Sequence, residues 1–121
     1  MGMDRDRPIE RFLPLRPVEF DVLLSLSAGD RHGYGIIQDA EARGVTTVPE
    51  VGTLYRALHR MQEQGLIGPT AARAASDAGY ERRHCYQITP LGVRVARAEA
   101  RRLAVLTRAA MASGLLDAVA T

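Results

Sequence analysis

Several residue types are scarce in this 121-residue sequence, and each scarcity excludes a class of structure. There is one cysteine, Cys85, so the chain cannot form an internal disulfide. No stretch is apolar for long enough to cross a membrane, and the first residues, MGMDRDRPIERF, lack the apolar core of a signal peptide. We therefore expect a soluble protein of the reducing cytoplasm.

Lysine is absent, so all 16 basic residues are arginines. The formal net charge is only +2 although the pI is about 9.1, which hints at an anionic partner without identifying one. Any contact with a phosphate group must then come from arginine, histidine or a neutral donor. Tryptophan is also absent and few residues are aromatic, so no flat stacking platform for a ligand is evident.

The histidines do not form a catalytic or metal-binding pattern. His32, His59 and His84 fall in three different predicted elements, and none has a glutamate or cysteine at the helical spacing of a metal ligand. His84 and Cys85 are adjacent, so on a strand their side chains point to opposite faces. The sequence therefore predicts neither an enzyme nor a metal site, and no cofactor.

Cys85 itself has two interpretations. Its neighbours Arg82, Arg83 and His84 would make an exposed thiol reactive enough to sense oxidants. A plain strand residue is the simpler interpretation, and the sequence leaves both open.

Proline, glycine and apolar spacing predict three short helices in the first half of the chain. The first should begin at Pro17, and a short polar link, GDRHG, should lead to a second that ends at Gly44. After an extended stretch, VTTVPE, the third should begin near Val51 and end at Gly65. The charged residues 1–15, interrupted by prolines, are predicted to form a loose arm.

The second half of the chain is predicted to form a hairpin and one long helix. LIGPT and RRHCYQIT are rich in strand-forming residues, and a small, polar stretch separates them. Thr89 is a favourable N-cap and Pro90 a favourable first helical residue, so a long helix should continue from there to about Ser113.

The third helix has two faces of different chemistry. Its predicted buried face carries Val51, Leu54, Leu58 and Met61. The other side and its flanks carry Gly52, Thr53, Tyr55, Arg56, His59 and Arg60. Arginine can bond O6 and N7 of guanine, threonine can contact a phosphate or a thymine methyl, and glycine allows close approach, so we interpret this face as reading DNA. The alternative is a solvated face on which Arg56 and Arg60 pair with Glu63 or Glu50.

A basic hairpin follows this helix and carries Arg82 and Arg83. A helix pair followed by such a hairpin is the arrangement of a winged helix-turn-helix, in which the second helix of the pair enters the major groove. We expect a flexible arm at residues 1–15, a winged helix-turn-helix domain at 16–89, and a dimerisation helix with its tail at 90–121. The alternative function is a winged-helix module that binds proteins without specific DNA binding.

Three blocks of the sequence resemble a known family. DRHGYGI, VGTLYRALHRMQEQGLI and ERRHCYQITPLG are similar, in order and spacing, to signature blocks of the PadR family of bacterial transcriptional regulators. The resemblance spans residues 16 to about 100, and implies a homodimer that binds a double-stranded DNA operator, usually as a repressor. In some of the proteins it resembles, small hydrophobic or phenolic effectors bind near the dimerisation helices, and others have no known ligand, so such a molecule is one candidate partner.

The resemblance also implies roles for individual residues. It assigns Gly33 and Tyr34 to the motif of the second helix, Arg82 and Arg83 to the wing, and Thr53, Tyr55, Arg56 and Arg60 to the recognition helix. Two positions depart from the family pattern: Gly35 replaces a larger polar residue, and Cys85 replaces an aromatic or aliphatic one. Neither departure removes a predicted DNA contact.

The last helix has a wide apolar face on which Arg102 is the one misfit. A small helical body cannot cover so wide a face, which predicts a two-fold homodimer. The dimerisation residues are predicted to be Leu91, Val95, Ala98, Val105, Leu106, Ala109 and Leu116. Such a dimer would direct two recognition helices toward successive major grooves, so the operator should be an inverted repeat about one helical turn apart.

Overall fold

The computed structural model describes residues 8–44, 49–70 and 85–117, and within them the chain forms four α-helices and three short strands. The helices are α1 (Pro17–Ser27), α2 (Gly33–Ala42), α3 (Val51–Glu63) and α4 (Pro90–Ala112), and a 3-10 turn at Ile9–Phe12 precedes them. The strands are β1 (Arg31–His32), β2 (Ile67–Pro69) and β3 (Cys85–Ile88). The predicted mainly α fold, with a hairpin between the third and fourth helices, is confirmed. No helix in these ranges is long and apolar enough to span a membrane.

Proline and glycine set helix boundaries where the sequence predicts them. Pro17 and Pro90 occupy the first turns of α1 and α4, where the missing N–H of proline costs nothing. Gly44 and Gly65 have φ angles of 77° and 81°, in the left-handed region that only glycine adopts without strain, and they follow the ends of α2 and α3.

The start of α4 packs closely against the turn that follows α3. The Thr89 hydroxyl accepts the backbone N–H of Gly92 at 3.0 Å and donates to the carbonyl of Gly65 at 2.6 Å. A Cβ at position 92 would overlap the carbonyl oxygen of Leu66 and would lie 2.8 Å from Cγ1 of Ile88. Glycine at this position is therefore what allows α4 to approach the body of the protein.

The strands form one antiparallel sheet with β3 at its centre, in the order β1-β3-β2. Ile67 is paired with Ile88, and Arg31 with Tyr86. Strand β1 corrects the prediction, which treats GDRHG as a link without regular structure. Two polar residues carry no alternating pattern, and they form a strand only because β3 pairs with them from far along the chain.

The hydrophobic core lies between α1, α2, α3, the sheet and the first turns of α4. Its fully buried large side chains include Leu23, Ile36, Leu54, Leu58, Met61, Leu66, Leu91 and Val95. Val51 corrects the predicted buried face of α3, because its side chain is 59% exposed. It is the first residue of the helix, and helical side chains lean toward the N-terminus, so Val51 points past the end of the core.

The predicted assignment of Leu91 and Val95 to a dimer interface is wrong. Both are buried in this chain's own core, at 1% and 0% exposure, because the close approach at Gly92 brings the first turns of α4 onto the body. The predicted dimerisation residues farther along the chain are accessible: Val105, Leu106, Ala109 and Leu116 are exposed, and Ala98 is half-buried.

The described part of the predicted N-terminal arm is packed rather than loose. Leu15 is buried in the core, and Ile9, Phe12 and Leu13 are partly buried against it. Charge and proline dominate the composition of this stretch and conceal its four apolar side chains, which explains the difference from the prediction. Residues 1–7 lie outside the described ranges.

A buried carboxylate joins this segment to α4 and explains the misfit at Arg102. Glu99 is 2% exposed and accepts two hydrogen bonds from Arg102, from Nε and from Nη2, each at 2.8 Å. The hydrogen bond from Arg102 lowers the pKa of Glu99 below its usual 4.5; burial opposes this shift, whereas the Arg102 charge and the Leu15 backbone N–H reinforce it. The same hydrogen bond raises the pKa of Arg102.

We predict that Glu99→Gln reduces the loss of stability in acid. A carboxyl group whose pKa is lower in the folded than in the unfolded chain stabilises the fold above its unfolded value of about 4.5. That contribution is lost as the pH falls through the lower, folded pKa. Thermal unfolding between about pH 5 and about pH 3 should therefore show a smaller decrease in Tm for the variant than for the parent. Glu41→Gln, at an exposed site in α2, is the control, and equal slopes for all three proteins would contradict the prediction.

Candidate nucleic-acid interface

The core determines which face of α3 is turned outward. Leu54, Ala57, Leu58 and Met61 are buried, so the opposite side of the helix faces solvent. Gly52, Arg56 and His59 are exposed on that side, and Thr53 is partly exposed. The first turns of α3 therefore present a small residue, a hydroxyl and a guanidinium group together, as an accessible surface.

A hydrogen bond organises this surface. Nη2 of Arg56 donates to Oγ1 of Thr53, one turn earlier, at 3.3 Å. Gly52 lies beside the same guanidinium, since a Cβ built at Gly52 would be 3.4 Å from Nη1 of Arg56. An exposed arginine held in this way keeps most of its donors free for the O6 and N7 acceptors of guanine or for a phosphate.

His59 lies one turn farther along the exposed face, beside Glu63. Its Nε2 is 3.4 Å from Oε2 of Glu63, and both side chains are mostly exposed. Exposed pairs at this spacing contribute little to stability, so little is lost if His59 exchanges Glu63 for another partner.

Arg60 lies in a different environment from Arg56. Its Nε donates to Oε2 of Glu19 in α1 at 3.2 Å, and its Nη2 is also 3.2 Å from that oxygen. Glu63 and Glu50, the partners that the alternative interpretation of the sequence predicts, do not take part in this ion pair. Glu19 is nearly buried and lies 41 positions away in the sequence, so helical spacing within α3 could not identify it. The geometry therefore places Arg60 between two helices and does not support it as a residue that reads bases.

Gly33 and Tyr55 form a packing contact between α2 and α3. Gly33 is buried, and a Cβ there would overlap the ring of Tyr55. Tyr55 is partly buried against the core. These two residues of the predicted site thus control how closely the two helices approach, whereas Tyr34, next to Gly33, is 61% exposed. Arg82 and Arg83, the predicted wing contacts, lie outside the described residues.

Two other arginines, Arg31 and Arg43, are held by carboxylates of the same chain. Arg31 contacts Asp39 at 2.7 Å, and Nη2 of Arg43, at the end of α2, donates to Oδ1 of Asp21 in α1 at 3.0 Å. These contacts hold α2 on the body of the protein, and they leave fewer arginines for an external partner than the sequence suggests. Among the described residues, no group of three or more His, Cys, Asp and Glu side chains could hold a metal ion.

A cavity of about 610 Å³ lies beside the beginning of α3. Val18 and Phe20 of α1, Leu103 of α4, and Pro49 and Thr53 at the start of α3 contribute to its lining, together with the Glu99–Arg102 pair. The sequence does not predict this cavity, because its walls come from three helices that meet only in the folded chain.

Comparison with known proteins identifies relatives of the whole arrangement. The sequence model of the transcriptional regulator PadR-like family matches residues 22–98. The structure of a PadR family transcription regulator from Clostridium difficile R20291 has a TM-score of 0.68 and 23% identity, covering 82% of this chain and 98% of that chain. A PadR family transcriptional regulator from Eggerthella lenta has a TM-score of 0.59 and 27% identity, covering 81% and 82%. A transcriptional regulator from Clostridium thermocellum has a TM-score of 0.62 and 23% identity, covering 90% and 93%. A search of curated proteins finds no match.

We predict that Arg60→Gln destabilises the fold and that Arg56→Gln does not. Loss of Arg60 removes a partner from the nearly buried Glu19 carboxylate, which should cost about 1–2 kcal/mol of unfolding free energy. Arg56 is exposed, and its hydrogen bond to Thr53 is a surface contact. Chemical denaturation of the parent and both variants measures the difference, and equal stability of the two variants would contradict the assignment of Arg60 to the helix contact.

Proposed function

Because the chain belongs to the PadR-like family of transcriptional regulators, it is a DNA-binding regulator rather than an enzyme, and we propose that it represses transcription by binding an inverted-repeat operator as a homodimer. The observation that carries this proposal is the outward face of α3 around Arg56. Three features each support one part of the proposal. The outward face of α3 supports DNA binding, the exposed part of α4 supports the dimer, and the cavity beside α3 supports an effector.

In the proposed complex, the beginning of α3 lies in the major groove. Recognition helices present their N-terminal residues to the base edges, and here these are Gly52, Thr53 and Arg56. Arg56 would bond a guanine, Thr53 would contact a phosphate or a thymine methyl, and Gly52 would allow the backbone to approach. His59 would contact the DNA from the next turn of the helix.

Other residues would position the protein on the phosphate backbone without reading sequence. Tyr34 is exposed at the start of α2, and its hydroxyl can donate to a phosphate. We retain Arg82 and Arg83 as wing contacts on the resemblance alone. Tyr55 and Gly33 would act indirectly, by setting the distance between α2 and α3.

The proposed dimer uses α4 from Ala98 onward and the residues just beyond its end. Val105 and Leu106 are 55% and 52% exposed, and Leu116, just beyond the helix, is 43% exposed. Apolar side chains repeated along one exposed part of a helix favour burial against a second copy of the same helix. The proposed interface is therefore Ala98, Val105, Leu106, Ala109 and Leu116, without Leu91 and Val95.

A small hydrophobic or phenolic effector could occupy the cavity beside α3 in this proposal. Its apolar walls suit an aromatic ring, and Thr53 and Pro49 connect it to the DNA-reading end of α3. An occupant that favours a different position of α3 would lower operator affinity. Displacement of labelled operator by such compounds tests this part of the proposal, and unchanged affinity with all of them counts against it.

We predict that Arg56→Ala weakens operator binding and relaxes base preference. Loss of one bidentate contact with guanine costs about 1–3 kcal/mol, roughly 5- to 150-fold in Kd. Fluorescence anisotropy with the duplex immediately upstream of the chain's own gene, compared with a scrambled duplex at several salt concentrations, measures the effect. Arg97→Ala, which removes the same charge from an exposed position in α4, is the matched control.

The parent should bind its operator selectively, with an affinity that falls log-linearly with salt concentration. If Arg56→Ala binds as tightly as the parent, the recognition face is assigned wrongly. Weak binding of the parent to both duplexes, with little dependence on salt, would instead favour a protein-binding module.

We predict that Leu106→Asp converts the dimer into monomers, because it buries a charge at the centre of the proposed interface. Ala104→Asp introduces the same charge at an exposed position on the other side of α4 and should leave the dimer intact. Light scattering coupled to size-exclusion chromatography measures the mass of each protein. A parent that is monomeric at micromolar concentration, or two variants that behave alike, would overturn the proposed interface.

A further inference from the structure

A second cavity, of about 510 Å³, lies between the N-terminal segment, the start of α1 and the end of α3. Three arginines from three different parts of the chain contribute to its lining: Arg11, Arg16 and Arg60. We propose that this cavity binds a small molecule carrying a phosphate or another doubly charged oxyanion. This site is separate from the DNA-reading face and from the cavity beside the start of α3.

The charges around the cavity are not balanced. Among the described residues that line it, Glu19 is the only carboxylate, and it accepts the backbone N–H of Arg16 at 2.9 Å as well as Nε of Arg60 at 3.2 Å. One nearly buried carboxylate faces three guanidinium groups, which leaves two positive charges without a counter-charge in the described part of the lining. A dianion would complete this balance.

The hydrogen-bond donors are available as well. Arg11 and Arg16 are exposed, and among the described residues their side chains make no hydrogen bond or ion pair. Arg60 uses Nε and Nη2 on Glu19, so Nη1 lies outside that ion pair. Guanidinium groups bind oxyanions through two parallel N–H donors, and three such groups can surround a phosphate.

The backbone around the cavity is ordered by proline and by short-range hydrogen bonds. Arg11 lies in the 3-10 turn, where its N–H donates to the carbonyl of Pro8 at 3.2 Å. Arg16 immediately precedes the first helical residue, Pro17. Phe12 and Leu15 pack against the core and form part of the wall. The positions of the guanidinium groups therefore depend on a folded segment, and the cavity volume is within the usual range of small-molecule sites.

The location favours a small anion over a DNA phosphate. Gln64 and Arg60 border the cavity at the end of α3, between about 10 and about 18 Å along the helix from Gly52 and Thr53 at 1.5 Å per residue. A recognition helix presents its first turns to the groove, so the other end of the helix lies away from the bases. The cavity is also concave, whereas a duplex backbone requires an open surface.

Isothermal titration calorimetry with inorganic phosphate, which is mainly a dianion above its second pKa, tests the proposal on the full chain. The parent should show saturable binding of one anion per chain, and Arg11→Gln with Arg16→Gln should weaken it at least tenfold. Arg97→Gln with Arg101→Gln removes the same charge from exposed positions in α4 and should leave it unchanged. Both arginine pairs are exposed, so neither double variant should affect folding, which circular dichroism checks.

Two results would overturn the proposal. One is equal weakening in both double variants, which would indicate only general attraction between charges. The other is the absence of saturable phosphate binding to the parent; if the double variant Arg11→Gln with Arg16→Gln then loses affinity for every DNA sequence alike, these arginines belong to the contact with the DNA backbone. The calorimetric measurement does not depend on the identity of the operator, so failure of the proposed repressor function would leave it interpretable.

Discussion

The contact between the first turn of α4 and the turn that follows α3 determines how the two longest helices are arranged. Thr89 and Gly92 together fix this contact, the first through hydrogen bonds to the turn and the second by having no side chain. The buried face of α3 and the first turn of α4 are both packed on the same core. The exposed parts of the two helices therefore have a fixed orientation relative to each other. Any partner of α4 is therefore placed at a defined position relative to the DNA-reading end of α3.

The roles of the arginines are decided by the carboxylates around them. Arg102, Arg60 and Arg43 each meet a carboxylate that other parts of the chain keep wholly or largely out of water. Within residues 8–44, 49–70 and 85–117, Arg56 bonds the hydroxyl of Thr53 and no carboxylate, and Arg11 and Arg16 line a cavity with one described carboxylate. In a chain without lysine, the same side chain thus stabilises the fold at some positions and remains available for external anions at others.

Local signals predicted the parts of this fold that depend on local chemistry. Pro17 and the Thr89-Pro90 pair begin helices because proline and an N-cap hydroxyl act within one turn, and the outward direction of Arg56 follows from helical periodicity. Strand β1, the Glu19 partner of Arg60 and the packing of the N-terminal segment were missed because each depends on residues distant in sequence. Leu91 and Val95 were assigned to the wrong surface for a related reason: periodicity identifies an apolar face, but only the folded chain shows what covers it.

The length of α4 gives its rigid attachment a further consequence. Its 23 residues extend over about 34 Å, and buried contacts hold the helix as far as Glu99, which leaves about 20 Å of helix beyond that residue. A rotation of about 5° at Glu99 would therefore move the far end by roughly 2 Å. Glu99 also lines the cavity that Thr53 and Leu103 border. A small rearrangement at this cavity would thus be enlarged at the far end of α4, where apolar side chains are exposed.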